Sequence, residues 1–389
     1  MSSPVTPPRS ILMIKSHSMG VGDLLRSSAA WRALKLKWPS VKLHLLFLSK
    51  HEGYPTEGLI KEHHLLESVE FLTIQKGHPG LDREQRPKVP FTQLVKSVQL
   101  AALRCKADWI IDFEPSGART SLLTWFATKA LGTRSLGINQ VFGRSLFYTQ
   151  NAPSVQSFAA QYGYELPLEY TYRDFVALAA WGIYRNQLPI ELRVSSAGQL
   201  AKVALINDLR QIPPSVSISP APKEMVIGLN IGCGTPDAVY KRPDLRQLAK
   251  GMLELASLYP HRLVLTGAPN ERDINEEFIK VYEALAVERQ LNVAPSKVLI
   301  PPNLSKHILD YAGRTDLSGL TGVIDACDIF ISTDSGPYHM SVALRKPTLV
   351  WFTYSEHTSF HDVPWCKRLI DPNSDEFVKN FQIIESNLN

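Results

Sequence analysis

The chain has 389 residues, of which 44% are hydrophobic and 20% charged, an ordinary globular composition with enough length for two domains. Its net charge is +5, but residues 1–190 carry 22 basic and 14 acidic side chains, whereas the remainder carries 20 and 23. The basic excess of the first half suits an acidic partner. It is too small to indicate nucleic acid, and the sequence shows no aromatic-basic motif of an RNA- or DNA-binding module.

Cysteine content and apolar runs bear on the compartment. The four cysteines are not spaced as a metal or redox pair, so we expect buried free thiols, as suits a reducing cytoplasm. The first ten residues, MSSPVTPPRS, have no apolar signal core, and runs such as FVALAAWGIY at 175–184 are too short to span a bilayer. We therefore expect a cytoplasmic protein that at most rests on a membrane surface.

The first half of the chain alternates strands and helices. After ten residues expected to be disordered, ILMIK (11–15) predicts a strand, SHSMGVG a loop, and the apolar spacing of DLLRSSAAWRALKLKW a helix. Further strands are predicted at 41–48, 67–74 and 107–113, and the charged stretch 76–90 is predicted to be a loop. A strand, a glycine loop, a helix and a strand form a βαβ unit, so we predict an N-terminal domain over 11–190 with a parallel sheet.

The second half repeats this alternation after a change of composition. Residues 191–222 combine a predicted helix at about 197–210 with a proline- and serine-rich stretch, which indicates a linker region. A second domain is then predicted over 223–374, followed by an amphipathic helix at 375–389 that we expect to pack back towards the N-terminal domain. The predicted strands of this domain are 225–232, 261–267, 297–301, 329–332 and 348–352, and its helices include 245–258, 271–290 and 317–328. The predicted fold class is α/β, with two doubly wound, Rossmann-like domains facing across a cleft.

The segment TDSGPYH at 333–339 interrupts two apolar strands. Proline suits the first turn of a helix, glycine lets a ligand approach the backbone, and free amide groups at a helix start bind anions. Ordinary helix capping is the alternative, and it explains one polar residue but not the whole cluster. We therefore predict a ligand site formed by Thr333, Asp334, Ser335, Gly336, Pro337 and His339.

Two further glycine turns follow predicted strands. In LNIGCGTPDAVYKRPDL (229–245), Thr235 can wrap a phosphate and Lys241 supplies a positive charge, although a lone loop lysine is usually just solvated. In SHSMGVGDLL (16–25), Asp23 is equally compatible with a helix cap and with a functional carboxylate facing the cleft. No G-x-G-x-x-G fingerprint follows a predicted strand, which disfavours a hydride-transferring dehydrogenase.

Together these three segments resemble glycosyltransferase family 9, the bacterial heptosyltransferase family. That family combines a glycine–aspartate turn, a segment of the form LNPG…K.WP and a segment of the form D[ST]GP.H.A.AL..P. Here they read ILMIKSHSMGVGDLL, LNIGCGTPDAVYKRP and TDSGPYHMSVALRKP. The similarity extends to IDFEPSGARTSLLTWFATKALGTRSLGIN (111–139) and LVLTGAPNERDINEEF, and so to nearly the whole chain.

The resemblance implies a GT-B architecture and an inverting, metal-independent transfer of a sugar, with ADP-heptose as the expected donor and no further cofactor. The acceptor would be a hydroxyl of the lipopolysaccharide core or of another glycan, lipid-linked molecule or protein. Carried over to this sequence, Asp23 would be the general base, Thr235 and Lys241 would hold the phosphates, and Glu271 would reach the ribose. The residues of the 333–339 cluster would contact the diphosphate and the sugar.

The acceptor side is less defined by the sequence. A phosphorylated or acidic acceptor would suit the basic loop at 76–90, in which the candidates are Lys76, Arg83, Arg86 and Lys88. Simple solvation of these side chains explains the loop equally well.

Two alternatives stay open at this stage. One is a GT-B relative with another nucleotide-sugar donor or with epimerase chemistry, and another is a non-catalytic nucleotide-sugar-binding module. A metal site at His357 and His361 is disfavoured, because no carboxylate or cysteine cluster accompanies them.

Overall fold

Parallel strand pairs build two six-stranded sheets, one in each of two units, Met1–Ile190 and Glu191–Asn389. The structure is a computed structural model that describes residues 6–16, 20–49, 53–75, 88–184, 188–212, 224–234, 236–292, 304–354 and 360–386. The predicted α/β class, with a doubly wound parallel sheet in each half, is confirmed.

The N-terminal sheet has the strand order β3-β2-β1-β4-β5-β6. Its strands are β1 (Ser10–Ser16), β2 (Lys42–Ser49), β3 (Ser68–Thr73), β4 (Trp109–Asp112), β5 (Arg134–Ile138) and β6 (Gln150–Ala152). The helices of this unit are α1 (Val21–Lys37), α2 (Thr56–Lys61), α3 (Phe91–Arg104), α4 (Ala118–Leu131), α5 (Val155–Tyr162) and α6 (Arg173–Leu178). Six of the seven residues of β1 are buried, which explains why this strand reads as one continuous apolar run.

The C-terminal sheet has the order β12-β11-β10-β7-β8-β9. Its strands are β7 (Met225–Asn230), β8 (His261–Thr266), β9 (Ile308–Asp310), β10 (Ile329–Thr333), β11 (Thr348–Phe352) and β12 (Cys366–Ile370). Its helices are α7 (Ser196–Gln211), α8 (Leu245–Leu258), α9 (Arg272–Asn292), α10 (Leu317–Ala326), α11 (Gly336–Ala343) and α12 (Ser374–Glu385). The strands β9 and β12 were not predicted, and the strand predicted at 297–301 lies outside the described residues.

Three boundaries differ from those expected from the sequence. Residues 6–10 are described, and Ser10 already belongs to β1 and donates its backbone N–H to the Asp108 carboxylate. The helix α7, expected in a linker region, packs against α10, and Ser195 Oγ before it donates to the Ser318 carbonyl at 2.9 Å. The helix α12 was expected to pack towards the N-terminal domain, whereas its buried residues Phe377, Phe381 and Ile384 lie in the core of the C-terminal unit.

Both sheets have a topological switch point, where the strand order reverses. It lies between β1 and β4 in the first sheet and between β7 and β10 in the second. Loops that leave adjacent strands on opposite sides diverge there and open a crevice at the carboxyl ends of the strands. The predicted glycine turns and the 333–339 cluster follow three of these four strands, so the fold places them at the two crevices.

Two expectations about the chain as a whole can be compared with the structure. All four cysteines are free thiols, with Cys327 and Cys366 buried and Cys105 and Cys233 partly exposed. Within the described residues, no helix has the length and apolar character needed to cross a membrane.

Candidate active site

The C-terminal crevice begins where β7 and β10 run side by side, with Asn230 paired to Ser332. Asn230 Nδ2 donates to the Gly232 carbonyl at 2.9 Å and to Ser335 Oγ at 3.1 Å. Thr333 Oγ1 donates to the same Gly232 carbonyl at 2.7 Å. These bonds tie the glycine turn after β7 to the turn after β10, so the two predicted motifs form one site.

The buried Glu271 side chain holds the glycine turn by accepting hydrogen bonds from the backbone. Its Oε1 accepts the Gly234 N–H at 2.8 Å, and its Oε2 accepts the Ala268 N–H at 2.7 Å. A Cβ at Gly232 would lie 1.9 Å from Glu271 Oε1, so any larger residue there would displace the Glu271 carboxylate from these bonds. Both carboxylate oxygens therefore hold backbone groups, and the expected contact with a ribose stays a prediction.

Asp334, directly after β10, is the most connected residue of the site. Lys241 Nζ lies 2.6 Å from its Oδ2, the Tyr354 hydroxyl donates to the same oxygen, and His339 Nε2 lies 3.8 Å from its Oδ1. Burial opposes ionisation of this carboxyl group. The charge of His339, together with the hydrogen bonds from Lys241 and Tyr354 and the charge of Lys241, outweighs burial and holds the pKa of Asp334 below its usual value.

The start of α11 lies beside this ion pair. Gly336 and Pro337 occupy its first turn, where a missing proline N–H costs nothing. The Ser335 side chain makes no capping bond to the described amides of α11, and it instead accepts from Asn230. Ordinary capping by Ser335 therefore does not explain the cluster, and helix starts of this kind bind anions.

The structure thus brings together Lys241, Asp334 and His339, with Thr333, Ser335, Gly336 and Pro337 around them. Thr235 lies outside the described residues, as do Lys76, Arg83 and Arg86 of the predicted acceptor loop. Lys88 is described and exposed. Within the described residues, no group of three or more histidine, cysteine, aspartate or glutamate side chains could hold a metal ion. Metal independence remains a prediction.

Asp23 lies in the first turn of α1, close to the N-terminal switch point. Its Oδ2 accepts the Gly20 N–H at 3.2 Å, so the capping role that the sequence allowed is present. Burial and the nearby charge of Asp23 both raise the pKa of the Tyr54 phenol. The Asp23 carboxylate is half-buried, and its catalytic role stays a prediction.

Sequence reasoning missed two acidic residues of the N-terminal unit, Glu114 after β4 and Asp174 in α6. Glu114 follows β4 and accepts the Ser16 N–H at 2.8 Å, and burial raises its pKa against the opposing charge of Lys15. Lys15 is itself buried and lies 2.6 Å from the Asp174 carboxylate. The segment DFE directly after a buried strand was the available signal for Glu114, whereas nothing local indicated Asp174.

Two residues of the C-terminal site were also missed or undervalued. Tyr354 follows β11, the strand that flanks β10 on the side opposite β7, and its hydroxyl donates to the Asp334 carboxylate. His361 was expected on the surface or in a supporting role, and its side chain is in fact buried, with Nε2 2.9 Å from His339 Nδ1. His357 lies outside the described residues. The sequence spacing of four between the two histidines carried no information about the actual partner.

Comparisons with known proteins agree with the predicted family. The model of glycosyltransferase family 9 (heptosyltransferase) matches residues 281–381, which include the 333–339 cluster. The predicted resemblance is confirmed there, and the match supports a glycosyltransferase. No curated protein sequence matches this chain.

Solved structures match over nearly the whole chain. A family 9 glycosyl transferase from Veillonella parvula has a TM-score of 0.64 at 14% identity, with 97% of this chain and 89% of that one covered. E. coli ADP-heptose lps heptosyltransferase II has a TM-score of 0.61 at 14% identity, with 98% and 100% covered. E. coli heptosyltransferase WaaC with ADP-2-deoxy-2-fluoro heptose has a TM-score of 0.57 at 16% identity, with 97% and 99% covered. At these identities the similarity establishes the fold.

Proposed function

We propose that this chain, whose C-terminal unit matches glycosyltransferase family 9, is an inverting glycosyltransferase that takes a sugar from a nucleoside diphosphate. ADP-heptose is the proposed donor, since two of the similar structures are named for ADP-heptose or contain an analogue of it. A lipopolysaccharide-core hydroxyl is the proposed acceptor, at the membrane surface facing the cytoplasm. The observation that carries the proposal is the Lys241–Asp334–His339 cluster beside the start of α11, where the Ser335 side chain makes no capping bond to the described amides.

These groups suit a leaving diphosphate. As the bond between the anomeric carbon and the phosphate oxygen breaks, its electron pair goes to the diphosphate, and negative charge grows there. Lys241 Nζ directs hydrogens to the Asp334 carboxylate and carbonyl at 2.6 and 3.3 Å, and we assign its third hydrogen to a phosphate oxygen. The amides at the start of α11 add a fixed positive dipole, which is worth most in a partly desolvated crevice.

The acceptor side needs one base. In an inverting transfer the acceptor oxygen attacks the anomeric carbon from the face opposite the leaving group, forms the new C–O bond and loses its proton. We assign that proton to Asp23, the partly exposed carboxylate at the N-terminal switch point. No step in this scheme requires a metal ion, since Lys241 and α11 supply the positive charge.

The donor assignment can be tested by thermal unfolding with ADP, UDP and GDP. A ligand at about 100 times its Kd stabilises the folded state by about 2.7 kcal/mol, which for a unit of this size raises Tm by about 5–10 °C. ADP is expected to give that shift, and UDP and GDP much less. If none of the three moves the Tm, the proposed nucleotide site is wrong. If UDP or GDP gives the largest Tm shift, the proposed glycosyltransferase activity stands, but with a donor that carries that nucleotide.

The catalytic assignment is tested by Asp23→Asn. The amide keeps an oxygen for the Gly20 N–H, so the helix cap survives, but it cannot take a proton. We expect turnover to fall by about 10²–10⁴-fold while ADP binding by calorimetry is unchanged. Asp316→Asn, at the N-cap of α10, is the matched control, and it should retain turnover. If the chain is a non-catalytic binding module, the unchanged protein, Asp23→Asn and Asp316→Asn will all show no turnover.

A further inference from the structure

A chain of three buried side chains runs from the crevice into the C-terminal unit. Asp334 lies at the crevice. His339 Nε2 lies 3.8 Å from Asp334 Oδ1, and His361 Nε2 lies 2.9 Å from His339 Nδ1. The two imidazole rings are perpendicular, with centroids 5.1 Å apart. His361 is 3% exposed, and the partner described for its ring nitrogen is His339.

The His361 ring is held in place by its own backbone. The backbone N–H of His361 donates to the Tyr338 hydroxyl at 2.8 Å, and the backbone carbonyl of His361 accepts the Val363 N–H at 3.0 Å. Tyr338 is fully buried in α11, next to His339 in sequence. The loop that carries His361 is thus bonded to the helix that carries its partner, which makes the His339–His361 bond a fixed feature of the fold.

The Asp334 carboxylate at one ring nitrogen of His339 and the His361 imidazole at the other together decide where the hydrogens on this pair lie. A lone pair on His339 Nε2 would face a carboxylate oxygen that carries negative charge, whereas an N–H there is attracted to it. If His339 is neutral, its Nδ1 must then accept a hydrogen from His361 Nε2. If His339 is cationic, its Nδ1 donates to His361 instead, and its Nε2 still carries a hydrogen.

From this geometry we propose that His361 is a positioning residue that holds His339 with its Nε2–H directed to the crevice, where it donates to the diphosphate of the donor. The inference rests on the proposed function for the identity of the ligand. It rests on the structure alone for the orientation of His339. His361 itself does not touch the ligand, and it acts by fixing the ring and the hydrogen placement of its neighbour.

The ligand arm of the test compares His361→Gln with His361→Leu. A glutamine amide offers both a donor and an acceptor at the reach of Nε2, so it can replace the imidazole in either protonation state of His339. Leucine can do neither. His361→Leu should weaken ADP binding by about 10-fold or more, as expected for a lost hydrogen bond to a charged group, whereas His361→Gln should stay within about threefold of the unchanged protein.

His261→Leu is the matched control. His261 is also a buried histidine of this unit, but it lies at the amino end of β8, and its Nδ1 contacts only the Tyr259 carbonyl among the bonds described for its ring. It should leave ADP binding unchanged. Equal losses in His361→Leu and His361→Gln would overturn the proposal, because loss of packing alone would then explain them.

The second arm needs neither ligand nor turnover. Ring ¹⁵N NMR near pH 8, above the ordinary histidine pKa of about 6.5, reports which nitrogen carries the hydrogen. The His339 signals, identified by their loss in His339→Gln, should show Nε2–H in the unchanged protein and in His361→Gln, and a mixture in His361→Leu. An Nδ1–H form of His339 in the unchanged protein overturns the inference. If His339 shows the expected Nε2–H tautomer but the protein binds none of ADP, UDP and GDP, the proposed function is wrong and the orientation of His339 is right.

Discussion

Asp334 is a buried carboxylate whose charge depends on its neighbours. Its side chain is 3% exposed, and that of Lys241 is 22% exposed. Taking a carboxylate out of water is expensive unless it is paired and hydrogen-bonded, and here an ammonium and a phenol contact the same oxygen. The Lys241–Asp334 ion pair therefore holds the Lys241 ammonium at the sheet edge even without a ligand.

At this scale we predict the effect of Lys241→Ala on stability. The variant leaves the Asp334 charge without its cation, which should lower the free energy of unfolding by about 1–3 kcal/mol in denaturant titrations near neutral pH. Adding Asp334→Asn should recover part of that loss, since no buried charge then remains. A double variant that is no more stable than Lys241→Ala would contradict this account.

The same pair predicts a pH dependence. Because the pKa of Asp334 in the folded state is held below its ordinary value of about 3.8, ionisation of Asp334 stabilises the fold above that pH. The contribution is lost as the pH falls through the folded-state pKa. The stability difference between the unchanged protein and Lys241→Ala should therefore shrink in acid, and a difference that grows below about pH 4 would contradict the assignment.

At the scale of elements, the contact between α7 and α10 shows how small residues set helix packing. A Cβ at Gly322 would lie 1.7 Å from the Gly198 carbonyl oxygen, and a Cβ at Gly198 would lie 2.2 Å from Thr321 Oγ1. The two backbones therefore approach as closely as glycine permits. Ser195 Oγ, bonded to the Ser318 carbonyl, adds a hydrogen bond at the start of α7.

Gly322→Ala tests this contact. The added methyl group meets backbone rather than a movable side chain, so α7 must shift away from α10. Overpacking of this kind typically costs about 1–3 kcal/mol, and a backbone clash belongs at or above the upper end. Ala204→Ser, which adds one atom on the exposed face of α7, should change stability by less than about 0.5 kcal/mol. Equal Tm values for the two variants would show that the helices are not held this closely.

For the whole molecule, each unit has its own sheet, its own apolar core and its own switch point. The C-terminal core is formed by side chains from β7, β8, β10 and β11 and from α8, α9 and α12, including α12 residues Phe377, Phe381 and Ile384. Every described contact of Lys241, Asp334, His339 and Glu271 lies within Glu191–Asn389. Donor binding and proton transfer are thus assigned to different units.

This division predicts the behaviour of the C-terminal unit expressed alone as residues 191–389. It should fold cooperatively, because domains with their own core can do so, and it should bind ADP with nearly the affinity of the full chain. It should have no turnover, since Asp23 is missing. Circular dichroism and calorimetry measure the first two properties. A folded unit that does not bind ADP would show that the N-terminal unit supplies part of the nucleotide site.

Much of this architecture was predictable from local patterns. Apolar runs followed by glycine turns and amphipathic segments predict parallel βαβ units, and the polar cluster after β10 marks a carboxyl edge. Short or half-buried strands were not predicted: β5 and β6 have only five and three residues, β9 has only partly buried residues, and β12 has two buried residues of five. The role of α12 was also missed, because amphipathicity shows that a helix packs but not against what.

The sequence by itself determined the alternating α/β pattern, the order of the motifs and the chemistry available at each turn, because these depend on neighbouring residues. Only the tertiary structure decided the partners. Lys241 and Asp334 are 93 positions apart, and His361 is 22 positions from His339. The first pair forms because strand order places β7 beside β10, and strand order results from long-range packing that leaves no periodic trace in the chain.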